Sequence, residues 1–215
     1  MKSSTRIAAF AASLIIAAAS VLAQEKKTDA PHGGGAGQPS AEEMAKMMET
    51  FTKLAAPGPH HQHLAALAGN WTIAGKFRMT PDQPWEEHKS ESEAEMMLGG
   101  RFLFQHFEGE PMLGMPTNFE GLGFMGFDNQ KGKLVSVWMD NMGTMIMTSE
   151  GACDAGCKSM TFRGDFVDPM TNQPTYMKSV YKIESPTKYV VLMYAPDADG
   201  KEFQMMELVH TKKQS

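Results

Sequence analysis

The sequence predicts an all-β fold of about ten antiparallel strands, running up and down and closing into a barrel, with short N-terminal helices before it. Three observations carry this expectation. From Trp71 onward the apolar period becomes two, most cleanly where Met160, Phe162, Gly164 and Phe166 alternate with Thr161, Arg163 and Asp165. Turn residues recur at short intervals, at Pro81-Asp82, Gly99-Gly100, Asp128-Asn129, Asn141-Met142-Gly143, Asp154-Ala155-Gly156, Asp168-Pro169, Ser185-Pro186 and Asp197-Ala198-Asp199-Gly200. Most connections are short, and consecutive hairpins lose their exposed edges by closing on themselves. The expected strands are 71–79, 86–97, 101–109, 119–127, 133–140, 144–151, 159–167, 175–184, 188–195 and 201–211. An open sandwich is the main alternative.

Residues 1–23 read as a secretory signal peptide: Lys2 and Arg6 lead, Ile7 to Leu22 is apolar apart from serine, and Val21-Leu22-Ala23 offers a cleavage site after Ala23. The apolar run falls short of the ~20 residues a membrane span needs, and no later segment is apolar enough to cross. The expected location is therefore periplasmic or secreted. Residues 24–39 form a polar linker with Gly33-Gly34-Gly35 and two prolines.

Residues 40–68 are expected to be helical. Ser40 and Glu43 fit a capping box, and Met44, Met47, Met48, Phe51, Leu54 and Ala55 recur on one face. Pro57-Gly58-Pro59 stops that helix, and a second one, about Pro59 to Ala68, ends at Gly69. The Met-rich helix is expected either to cover one barrel mouth or to pack on the barrel's outside. The barrel domain is 69–213. Losing Lys2 and Arg6 takes the formal charge from −5 to −7, which does not suit nucleic acid or an anionic membrane surface.

The two cysteines, Cys153 and Cys157, flank three turn residues, so they face each other across a hairpin at a distance a disulfide spans. An oxidising compartment favours that bond over a redox or metal pair. In the strand from Glu86 to Met97, Glu87, Lys89, Glu91, Glu93 and Glu95 must face water, which turns His88, Ser90, Ser92, Ala94 and Met96 inward. Small inward side chains leave room for a ligand or for bulky groups from across the barrel.

Several stretches resemble one bacterial family. They are Leu98-Gly-Gly-Arg-Phe-Leu103, Phe119-Glu-Gly-Leu-Gly123 with Gly126-Phe-Asp-Asn129, Trp138-Met-Asp-Asn-Met-Gly-Thr144, Ile146-Met-Thr-Ser-Glu-Gly151 and Asp168-Pro-Met-Thr171. The resemblance is to domain-of-unknown-function family 1579, over roughly Pro57 to Lys213. It implies a calycin-like or lipocalin-like barrel and no established activity. Gly69-Asn70-Trp71 is also similar to the Gly-x-Trp opening of lipocalin first strands.

A barrel of this size commonly encloses one small apolar molecule held by a few polar anchors. The candidate ligand-binding residues are Arg101, Trp138, Asp140, Glu150 and Tyr181. Asp140 and Glu150 lie on adjacent strands and are candidates to approach the same region, against the alternative that Asp140 caps the turn and Glu150 is solvated. The chain holds 20 methionines. A soft metal would draw on Met139, Met142, Met145 and Met147, or on His60, His61 and His63, which are weak metal candidates on a short polar helix. His106 and His210 sit in strands as weak haem candidates, with no Cys-x-x-Cys-His. No Gly-x-Ser-x-Gly, His-Glu-x-x-His or phosphate loop occurs, so no catalytic residue and no cofactor is assigned. The expected function is non-catalytic binding of a small hydrophobic or amphipathic molecule. The alternatives are envelope copper or zinc binding and a structural or partner-binding domain.

Overall fold

The computed structural model describes residues 39–214, so the expected signal peptide and all but Pro39 of the expected linker lie outside the described residues. Helix α1 (Ala41–Ala55) carries Glu42 and Glu43 in its first turn and Lys53 in its last, which suits the helix dipole. A 2.9 Å Lys46–Glu42 pair one turn apart adds local support. None of its residues is buried, and Met48 and Phe51 are 59% and 60% exposed. The helix thus neither covers a barrel mouth nor packs its apolar face on the barrel wall. It is tied down at its C-terminus, where Arg101 donates from Nε to the Ala55 carbonyl (2.9 Å) and Asn129 donates to those of Leu54 and Ala56. Those donors satisfy carbonyls that a helix end leaves open.

Helix α2 (Pro59–Leu64), with Pro59 in its first turn, runs into a single 3-10 turn, Ala65–Leu67. Ten strands follow: β1 (Gly69–Phe77), β2 (Glu86–Met97), β3 (Phe102–Gly109), β4 (Phe119–Asp128), β5 (Lys133–Asp140), β6 (Met147–Cys153), β7 (Ser159–Val167), β8 (Pro174–Ser185), β9 (Lys188–Pro196) and β10 (Glu202–Lys212). All neighbours pair antiparallel, and β10 pairs with β1 to close the barrel. Register slips by one residue at Glu184 and at Met205, where bulges bend β8 and β10.

One boundary differs from expectation. β6 starts at Met147, not near Thr144, because Met147 pairs with Trp138 and the intervening chain forms a longer loop. Asp140 helps start that loop by accepting from the Met142 N–H (3.0 Å). β6 in turn runs on to Cys153, which pairs with Met160. Cys153 and Cys157 form a disulfide across that turn, with Cα atoms 4.9 Å apart.

Alternation decides the core. β1 turns Trp71, Ile73 and Phe77 inward, and all three are buried. β2 follows the expected phase, with His88, Ser92 and Ala94 buried between exposed Glu and Lys. α2 and the 3-10 turn plug one end of the barrel. There Leu64 and Leu67 are fully buried against Trp71, Leu103, Leu134 and Met160, and the Trp71 indole donates to the Leu67 carbonyl (3.0 Å). The opposite end bears the β1–β2, β3–β4 and β5–β6 loops.

Candidate functional site

Beyond the plug the packing loosens. Inward-facing Ser136, Trp138, Met147, Ser149, Met177, Ser179, Met193 and Met206 all keep partial exposure, although they point into the barrel. A closed wall cannot expose its inner face unless it surrounds accessible space. Tyr181 is half-buried as a residue, and burial pushes its phenol up to about 12.

β5 to β8 contribute Ser136, Met147, Ser149, Met177 and Ser179 beside the aromatic rings of Trp138, Phe162 and Tyr181. β9, β10, β1, β2 and β3 contribute aromatic rings and neutral polar groups. Tyr189 stacks on His210 with ring centres 4.0 Å apart, and Trp71 meets Tyr189 edge-on at 4.7 Å. Phe107 continues the row by touching His210 (6.1 Å) and Trp138 (5.2 Å), and Phe119 stacks on the far side of Trp138 at 6.4 Å. At the open end His88 meets Phe119 edge-on.

Glycines of β4 make room for the indole. A Cβ on Gly121 would come within 2.5 Å of the Trp138 ring, and one on Gly123 within 3.2 Å. Trp138 thus lies flat along β4, and its Nε1 donates to Asp140 Oδ2 (2.8 Å). The other Asp140 oxygen takes the Met142 N–H, so the carboxylate is engaged on both sides. The structure brings Trp138 and Asp140 together at the open end, with Tyr181 deeper, near the plug.

Five buried side-chain polar atoms along this wall have no hydrogen-bond partner in the protein: His88 Nε2, Ser92 Oγ, Gln105 Nε2, Tyr189 OH and His210 Nε2. Their residues are at most 6% exposed. Such groups are expensive to leave unmade, at about 1–3 kcal/mol each, and native interiors hold few. Ser92 faces the Tyr189 hydroxyl closely enough to oppose slightly the rise that burial causes in its pKa, but no hydrogen bond of good geometry joins them. Burial also drives His210 down to about 3, while its Nδ1 sits 3.3 Å from the Leu208 carbonyl. A neutral ring with that Nδ1 protonated leaves Nε2 as a free acceptor. Burial lowers the pKa of His88 as well, partly offset by the Glu110 charge.

Arg101 and Glu150 lie elsewhere. Arg101 is committed to the α1 end and to the Leu98 carbonyl. Glu150 is on the outer face opposite Val135, where hydrogen bonds from Lys131 (2.8 Å) and Lys133 (2.6 Å) hold its carboxyl at about 2. Asp140 points inward at the other end of β5, so the two carboxylates do not share a site. Strand alternation explains this, since Glu150 pairs next to inward Gly151.

The metal candidates do not converge either. Met147 faces inward and Met139 outward, while Met145 is exposed in the loop. His61 is buried and accepts the Gly58 N–H (3.0 Å). His60 stacks on Phe127 and lies 3.5 Å from Cys153 Sγ, a sulfur already in the disulfide. His63 sits 6.3 Å from His60, ring to ring. Of the haem candidates, His106 faces outward against Glu120 (3.2 Å). Two depressions of about 420 and 440 Å³ on the outer face of β1 and β2 are open to bulk water and edged by Lys89, Glu91 and Glu207, among others.

The sequence reading missed Gln105 and Tyr189. Gln105 alternates with Leu103 and Phe107, and a polar residue on an apolar strand face is the signal for it. That signal was masked by Phe102 and Phe104 on the opposite face, where Phe104 packs on Phe124 outside the barrel. Tyr189 opens an apolar run with no alternation to read.

Solved structures share this architecture. Rv2717c from M. tuberculosis is 14% identical, with a TM-score of 0.53 over 74% of this chain and 100% of its own. The S-type phycobiliprotein lyase CPES from Guillardia theta is 10% identical, with a TM-score of 0.50 over 82% of this chain and 99% of its own. At such identities the likeness is one of fold. No curated protein matches the sequence. The model of the family described as "Protein of unknown function (DUF1579)" matches residues 56–212, and the chain belongs to that family.

Proposed function

We propose that this protein binds a small, largely apolar molecule in the open half of the barrel and performs no chemistry on it. The observation that carries the reading is the set of unpartnered buried polar atoms on inward-facing residues of a barrel in which other inward residues remain partly accessible. A bound molecule would supply the missing hydrogen bonds and cover the exposed methionines. The titration of the lumen groups supports binding over catalysis. A His210 near 3 and a Tyr181 near 12 are poor proton carriers at neutral pH. Action in the cell envelope is part of the proposal and rests on the leader-like residues 1–23 and on the disulfide.

Native mass spectrometry of the gently purified mature protein, set against its denatured mass, tests this. An added organic mass, lost on denaturation, is the expected result. A metal mass, or no added mass after exposure to an envelope lipid extract, would refute it. A second reading, a partner-binding domain, draws on the exposed apolar face of α1 and on Phe102 and Phe124, which are 39% and 37% exposed outside the barrel. It predicts no bound organic molecule and a concentration-dependent mass in sedimentation.

A further inference from the structure

Resting on that reading, we infer that the lumen selects an uncharged ligand carrying hydroxyl, carbonyl or amide groups along one edge, and discriminates against carboxylates and phosphates. The first ground is what lines the space. The inward positions on the wall include His88, Ser92, Gln105, Tyr189 and His210, each neutral and each with a buried hydrogen-bonding atom that has no partner in the protein. Opposite them lie Met147, Met177, Ser149 and Ser179.

The second ground is what the lumen lacks. Among the described residues, alternation places the strand lysines and arginines outside: Lys76 and Lys89 in β1 and β2, Arg163 in β7, Lys178 and Lys182 in β8. Lys212 is the inward-phase exception. Its ammonium lies over Trp71 and bonds the Ala68 carbonyl at the plugged end, away from the opening. An anionic head drawn into this barrel would shed its water and meet no cation, which is the costly case for a buried charge.

The third ground is the entrance. The loops at the open end carry Asp82, Glu110, Asp168, Asp197 and Asp199 against Arg78 and Lys201, so approach also disfavours anions. Two carboxylates among the described residues lie in the inward phase: Glu86 is exposed at the mouth and adds to its negative charge, and Asp140 is held by the Trp138 indole and the Met142 N–H and is not poised for an ammonium group. The polar atoms run from His88 at the mouth to Tyr189 and His210 near the plug. A molecule with a single polar head would meet only part of that row, whereas a polar edge meets it along its length.

The test uses the full mature protein and Nile red, an uncharged environment-sensitive dye, displaced by a straight-chain alcohol, carboxylate and amine of equal length. The alcohol is expected to displace the dye at a concentration at least tenfold below the carboxylate, with the amine also weaker than the alcohol. Equal displacement by alcohol and carboxylate, or tightest displacement by the amine, overturns this inference and leaves lumen binding intact. Failure of Nile red to bind at all overturns lumen binding with it. A gain-of-function variant guards against misfolding artefacts. Ser179→Lys places a cation at a half-buried inward position, and it should bring the carboxylate to or below the alcohol in displacing concentration. An unchanged order in a folded Ser179→Lys protein also counts against the inference.

Discussion

His210 is a buried neutral imidazole, and acid should expose that as lost stability. Its folded pKa, about 3, is depressed below the ordinary 6.5 by burial, so unfolding takes up a proton whenever the pH lies between the two. Stability is therefore full above 6.5 and falls with decreasing pH until the native ring itself protonates near 3. Between pH 7 and pH 5 the unfolded chain gains most of a proton at this site and the native state almost none, which removes about 2 kcal/mol. For a chain of this size that is a fall of about 4–8 °C in Tm. Burial also lowers His61 and His88, and they act in the same direction. Glu150 and Asp168, held below their ordinary values of 4.5 and 3.8, lose their contributions chiefly below this window. The perturbation is His210→Phe, which keeps a ring for Tyr189 to stack on at 4.0 Å. Thermal melts at pH 7 and pH 5 should show the variant losing about 4–8 °C less than the parent between the two conditions. A variant with the parent's full acid sensitivity would show that His210 is not the buried neutral group described here.

Gly121→Ala places a methyl 2.5 Å from the Trp138 ring, and such overpacking should cost about 1–3 kcal/mol, read as a lowered Tm with altered indole fluorescence. The Cys153–Cys157 bridge closes a very short loop, so reduction should remove about 2 kcal/mol without unfolding the barrel. Alkylation before reduction should leave both cysteines unlabelled, and ready labelling would contradict the bridge. Arg101→Ala should release the C-terminus of α1, raising amide exchange over the helix's last turn while dye binding in the lumen stays unchanged. Glu150→Gln should also leave dye binding unchanged, since its carboxylate is outside with Lys131 and Lys133; a loss of binding would place it wrongly.

Much of this protein is legible in its sequence, for local reasons. The Thr161-to-Phe166 alternation, the charged face of β2 and the turn residues at Asp128-Asn129 and Asp197 to Gly200 each fix a strand or a break without reference to distant residues. Ten such strands on short connections have little choice but to pair with their neighbours, so the order around the barrel follows as well. The disulfide was readable because its partners are separated by one turn.

The site was read only in part. Which face of a strand points inward depends on what lies across the barrel, and β3 and β10 carry apolar residues on both faces. Phe102, Phe104 and Phe124 look like core in one dimension and line the outside in three. The sequence could mark Trp138 and Asp140 as candidates, but not that Glu150, ten residues on, faces the other way at the opposite end of the hairpin. Nor could it assemble Ser92, Gln105, Tyr189 and His210, which come from four strands and meet only when β10 closes onto β1. The sequence by itself determined the elements and their order, because propensity, alternation and turns act over a few residues. Only the tertiary structure decided which polar groups are buried without partners, because that depends on the whole circle of strands being shut.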